Sequence, residues 1–121
     1  MEDIYRFELD SDMFEKLLSG KKTAQLAINE PKRKVYAVGN QITFVKKQEG
    51  LEGEAEIKNA SIENLLYFAD VVEAVGTLGK EACGFKNSAT IEKASDIFLS
   101  NASFEAIEKN GIVAIVFKVI E

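Results

Sequence analysis

The sequence predicts an α+β domain built around a strongly curved sheet or small barrel. Three observations lead there. An amphipathic helical segment near the N-terminus is followed by several short segments of strand character. The chain then turns helical in its middle. It closes on Ile112-Val113-Ala114-Ile115-Val116-Phe117-Lys118-Val119-Ile120, nearly continuous in β-formers, as a strand buried on both sides requires.

Ile4 to Leu9 has the β-propensity of a short strand, and Asp10-Ser11-Asp12 supplies oxygens suited to capping a helix. In that helix Met13, Phe14, Leu17 and Leu18 share one face, with Glu15 and Lys16 turned outward. Gly20 ends it, because a glycine just past the last turn accepts the left-handed backbone that closes helices. From Thr23 the period becomes two: Ala24, Leu26 and Ile28 fall on one strand face, and Thr23, Gln25 and Ala27 on the other. Asn29-Glu30-Pro31 terminates the strand. A short Lys34 to Ala37 strand, a Gly39-Asn40 turn and a Gln41 to Val45 strand are expected next. Gln48 to Gly53 then reads as a hairpin loop into a half-buried strand over Glu54 to Asn59.

Helical character follows, with Ser61 capping Ile62, Leu65 and Leu66, and Asp70 with Glu73 resembling a second capping box. Thr77 to Asn87 reads as a loop able to border a ligand. Ser88 can cap a helix carrying Ile91, Ala94, Ile97 and Phe98, and Ser103 to Lys109 a further short one, before Asn110-Gly111 breaks the chain.

At 121 residues and 46% hydrophobic content the chain holds one packed core, so a single domain over 1–121 is expected. The longest apolar run, Ile112 to Phe117, is far short of a bilayer span, and Met1-Glu2-Asp3 lacks the basic and apolar regions of a signal peptide. A cytoplasmic protein without membrane partners is expected. Cys83 is alone and there is no histidine, which excludes an internal disulfide, a Ser-His or Cys-His pair and histidine-ligated metal. No cofactor is expected. The net charge of −5 disfavours broad binding to duplex nucleic acid. Seven of the fifteen basic residues nevertheless fall between positions 21 and 47, as Lys21-Lys22, Lys32-Arg33-Lys34 and Lys46-Lys47.

Four pieces in order, Phe14 to Thr23, Gly39 to Phe44, Ser61 to Leu66 and Gly111 to Ile115, resemble the ASCH domain, a branch of the PUA-like superfamily. The resemblance spans nearly the whole chain. It implies a PUA-like small β-barrel, a strongly curved mixed sheet flanked by helices, with a cleft lined by the strand after the lysine pair and a role in binding RNA or nucleotide-like ligands. One branch of the family removes an acetyl group from the exocyclic nitrogen of acetylated cytidine. By position, Lys22 matches the catalytic lysine of that branch and Gln25 stands where its threonine stands, while Lys86 and Asn87 occupy the stretch where its glutamate is sought. Where many members carry glutamate and arginine two residues apart, this chain has Gln25 and Ala27, and the family's Gly-Asp turn is Gly39-Asn40.

Three functions remain open at this point. As a binding module for single-stranded RNA or a nucleoside or nucleotide, the domain would use Lys21 and Lys22 for phosphate or carbonyl oxygen. Thr23 and Gln25 would give polar specificity, and Lys32, Arg33 and Lys34 would meet backbone phosphates on the rim. As a small amidohydrolase it would need Lys22 neutral, through burial or the charge of Lys21. As a regulatory or protein-interaction domain its cleft would be vestigial. The oligomeric state is not set by any of these features.

Overall fold

The computed structural model describes residues 5–47, 56–86, 90, 92–93 and 104–120. In chain order the elements are β1 (Arg6–Leu9), α1 (Ser11–Leu18), β2 (Ala24–Ile28), a single 3-10 turn (Pro31–Arg33) and β3 (Gln41–Lys46). They continue with β4 (Ile57–Phe68), α2 (Val71–Leu78), α3 (Phe104–Asn110) and β5 (Ile112–Ile120). The strands form one mixed sheet of order β1-β3-β4-β5-β2, curled into a half-barrel. Among the described residues only β1 and β3 pair in parallel. The α+β prediction of a strongly curved mixed sheet with helices around it therefore holds.

β5 is the hinge of this arrangement, pairing antiparallel with β2 on one side and β4 on the other. Its residues serve two cores, which is why it is apolar almost throughout. Val113, Ile115 and Phe117 join Phe7, Phe44, Ile62 and the α1 residues Phe14 and Leu17 on one face. Ile112 and Ala114 join Leu26, Ile107 and the α2 residues Val71, Ala74 and Val75 on the other. Capping agrees with the sequence reading: Met13 N donates to Asp10 Oδ1 at 2.8 Å, and Glu73 N to Asp70 Oδ1 at 2.9 Å.

Two expected elements are different in the structure. The Lys34 to Ala37 strand is absent; Pro31 starts a 3-10 turn, where its fixed φ suits the first position, and the chain continues through turns to Asn40. The helix expected after Ser61 is instead the second half of the 12-residue β4. A bulge between Ile62 and Asn64 inserts Glu63 and shifts the side-chain parity, so Ile62 and Leu65 lie on one face and Leu66 and Phe68 on the other. Alternation broken by one extra residue, with partly buried apolar residues on both faces, imitates the i, i+3, i+4 spacing of a helix.

The loop expected over Thr77 to Asn87 starts later, because α2 runs to Leu78. Ile4, the Gln48 to Gly53 loop and most of the helix expected from Ser88 lie outside the described residues. Among the described residues, no helix is long and apolar enough to cross a membrane.

Candidate functional site

The junction between α1 and β2 is closed by backbone hydrogen bonds. Gly20 takes φ +81°, and the N–H groups of both Lys21 and Lys22 turn back to Lys16 O at 2.9 and 3.0 Å. One residue later the chain meets the turn that follows α2: Thr23 N and Ala24 N both donate to Ala82 O at 2.9 Å. Between these anchors Lys21 faces solvent and Lys22 faces inward.

Lys22 is 2% exposed. Its Nζ donates to Ala24 O at 2.7 Å and to Cys83 O at 3.2 Å, tying the start of β2 to the turn after α2. Gly84 makes room for the stem: at φ +94° it has no Cβ, and one placed there would lie 3.1 Å from Lys22 Cδ and 3.2 Å from Nζ. Burial lowers the ammonium pKa to about 8, opposed at neutral pH by the charge of Asp10. The same burial pushes the Cys83 thiol up to about 11, so it stays protonated at neutral pH. Among the described residues no carboxylate lies within ion-pair distance of Lys22, and no three metal-ligating side chains gather.

A cleft of about 400 Å³ opens beside this junction. Its apolar walls are Leu17 and Leu18 at the end of α1 and Phe117 and Val119 on β5, while Gly20, Lys22 and Thr23 form its floor near the junction. Leu18, expected in the core, is 43% exposed and forms part of this wall. The remaining lining residues are Lys58 at the start of β4 and Lys118 near the end of β5. Lys58 shares the strand face of the buried Ala60 and Ile62 and so points toward the α1 side of the sheet. Among the described residues neither the Lys58 nor the Lys118 ammonium has an ion-pair or hydrogen-bond partner, and no acidic residue lines the cleft.

The other residues singled out in the sequence lie elsewhere. Lys21 is exposed, with Nζ 4.0 Å from Glu81 Oε2. Gln25 is half-buried; its Nε2 donates to Leu26 O at 3.2 Å while Oε1 is buried without a partner, and it does not line the cleft. Lys32 and Arg33 both sit against Glu30, at 3.6 and 3.7 Å. Arg33 also lies 5.4 Å over the Phe7 ring and donates to the Tyr36 hydroxyl at 2.6 Å. Lys34 is exposed. The five residues of β2 separate this basic group from Thr23 by roughly 16 Å of extended chain, so the two do not form one surface.

No protein-family model matches the chain, and no curated protein sequence matches it. Similar folds are found among solved structures. The chain is similar to the crystal structure of the hypothetical protein PH0355, with a TM-score of 0.74 at 17% identity, over 95% of this chain and 97% of that one. It is also similar to the solution structure of protein PF0455 from Pyrococcus furiosus, with a TM-score of 0.68 at 19% identity, over 96% of each. At these identities the likeness is one of fold.

Thus the structure brings Lys22 and Thr23 to one cleft and leaves Gln25, Lys21 and the 32–34 cluster outside its lining. Lys58 and Lys118 were not singled out from the sequence. Each is an isolated lysine in its segment, and only the parity of β4 read back from Ala60 and Ile62 would have turned Lys58 inward.

Proposed function

We propose that the protein binds RNA or a nucleotide-like ligand in the cleft beside Gly20 to Thr23, the role implied by its resemblance to ASCH domains. The observation that carries this reading is the charge of the lining. In a protein of net charge −5, Lys58, Lys118 and Thr23 all border one cleft, and among the described residues neither ammonium has a partner and no carboxylate is on the lining. Such a site accepts an anion with an apolar body, and single-stranded RNA presents unstacked bases beside phosphates. A cytoplasmic setting fits a chain whose sole cysteine is a free, buried thiol.

The test is an NMR titration of isotope-labelled protein with short single-stranded RNA and with nucleosides. Salt-sensitive shifts of the Thr23, Lys58 and Phe117 amides are expected. Their absence with every ligand sinks the proposal.

One observation favours a second reading, amide hydrolysis of acetylated cytidine. Lys22 is buried with its pKa lowered to about 8, so a fraction of the amine is neutral near physiological pH. Against it, Nζ is already engaged by two backbone carbonyls and has no carboxylate partner among the described residues. Deacetylation assayed in the wild type and in Lys22→Met decides this, since hydrolysis without dependence on Lys22 removes the reading.

A further inference from the structure

Lys58 is the one lysine that β-strand parity turns toward the α1 side of the sheet and that still lacks an acidic partner among the described residues. Lys22, the other inward lysine of the cleft, has its ammonium committed to Ala24 O and Cys83 O. Lys118 alternates away from Phe117 and Val119 on β5, yet it borders the same opening and its ammonium likewise lacks a partner among the described residues. With Lys58 inside the cleft, Lys118 on its rim, and neither ammonium partnered among the described residues, the lining favours a ligand carrying more than a single negative charge. A carboxylate supplies one charge, whereas a phosphate monoester carries about −1.5 to −2 at neutral pH. Lysine suits it as a point charge that needs no fixed bidentate geometry.

The apolar part of the lining says what else the ligand must have. Leu18 is an exposed leucine at a helix end with no core to join, and Phe117 and Val119 continue its surface across the opening. Small-molecule sites run from about 300 to 1,000 Å³. At about 400 Å³ this cleft takes one compact ligand and not a run of stacked bases.

We infer that the cleft is a phosphate-monoester site. Lys58 holds the phosphate, Lys118 closes on it from the rim, the Thr23 hydroxyl donates to it, and Leu18, Phe117 and Val119 receive the apolar or aromatic body. This deepens the ligand-binding reading above and rests on it for the location of the site. A free nucleotide and the phosphorylated end of an RNA chain share the required chemistry.

Isothermal titration calorimetry with phenyl phosphate, adenosine monophosphate, adenosine, a terminally phosphorylated RNA trinucleotide and inorganic phosphate tests it. Both small monoesters are expected to bind at least about tenfold more tightly than adenosine, and more tightly than inorganic phosphate. Lys58→Ala abolishes the advantage, Lys58→Arg keeps most of it, and Lys118→Ala loses about two- to threefold. Should Lys58→Ala fail to fold, Lys58→Gln gives the same comparison. The RNA arm assigns the source: trinucleotide binding tighter than adenosine monophosphate points to RNA ends, weaker binding to free nucleotides. Equal affinity for adenosine and its monophosphate, or an advantage that survives loss of Lys58, overturns the inference; the broader reading then still stands if adenosine shifts the Thr23 amide. If phenyl phosphate binds through Lys58 while nucleotides and RNA do not, the monoester site stands and the nucleotide reading falls. No binding by any ligand overturns both.

Discussion

Replacing Lys22 by methionine keeps the aliphatic stem and deletes the ammonium, so the pH dependence of stability isolates the effect of burying that charge. In the unfolded chain the amine titrates near 10.5, whereas in the folded protein burial lowers its pKa to about 8. Below about pH 8 both states hold the proton and the group adds no slope. Between about pH 8 and about pH 10.5 the unfolded chain holds a proton that the folded protein has released, so stability rises with pH through this window. At about 1.4 kcal/mol per pH unit, a window about 2.5 units wide amounts to about 3 kcal/mol.

The offset at neutral pH is less informative than the slope. Losing Nζ strands Ala24 O and Cys83 O, at about 1–3 kcal/mol for each buried acceptor, but it also removes the cost of burying a charge. Urea denaturation of both proteins at several values between about pH 7 and about pH 10.5 should therefore show the wild type gaining about 3 kcal/mol on Lys22→Met. Ionisation of the remaining lysines and tyrosines is common to both and cancels in the difference. Parallel stability curves would refute the reasoning, because they require a solvated Lys22 whose pKa is the same folded and unfolded.

Two further substitutions test the scaffold. Gly111→Ala forces φ +74° on an alanine and sets its Cβ 2.8 Å from Phe68 O, a backbone atom of β4 that cannot swing away. A loss of about 2 kcal/mol or more in chemical denaturation is expected, and a neutral result would mean that the α3–β5 junction relaxes freely. Asp70→Ala removes the oxygen that accepts from Glu73 N and should cost about 1 kcal/mol, with Asp70→Asn close to wild type; equal losses in both would assign the effect to charge instead of capping.

The parts of the fold legible in the sequence are those set by local chemistry. Asp10 before an apolar face, Gly20 after it, Asp70 before α2 and the unbroken apolar run of β5 each describe their own element. The second half of β4 reads as a helix in sequence because its pattern depends on its partner: the extra residue at Glu63 has meaning only against Ile62↔Phe117 and Asn64↔Val116 on β5. The Lys34 to Ala37 segment was misread because β-propensity is contextual, and Pro31 together with the Tyr36 contacts to Tyr5 and Arg33 holds that stretch in turns. At the site, Lys22 and Thr23 were legible through the glycine that stops α1. Lys58 was not, because its partners across the cleft are some 35 to 60 residues away in sequence.

Charge shows the same division between what is local and what is topological. The basic stretch from 21 to 47 looks like a binding surface in sequence, yet much of it is compensated within the structure. Lys21 lies near Glu81, Lys32 and Arg33 flank Glu30, Lys46 approaches Glu56, and Lys22 gives its ammonium to two carbonyls. Exposed pairs of this kind contribute little energy, but at short range they cancel the field that a run of lysines would otherwise project. Lys58 and Lys118 belong to no run at all. They border one cleft because β4 and β5 are neighbours in the sheet: Lys58 faces the α1 side, and Lys118, of opposite parity to Phe117 and Val119, meets the opening at its rim. In an acidic protein, a cation without a partner among the described residues matters through the place where the fold puts it, and here that place is a concave site with apolar lining. Which lysines border the cleft is thus set by strand order and parity and not by runs of charge in the sequence.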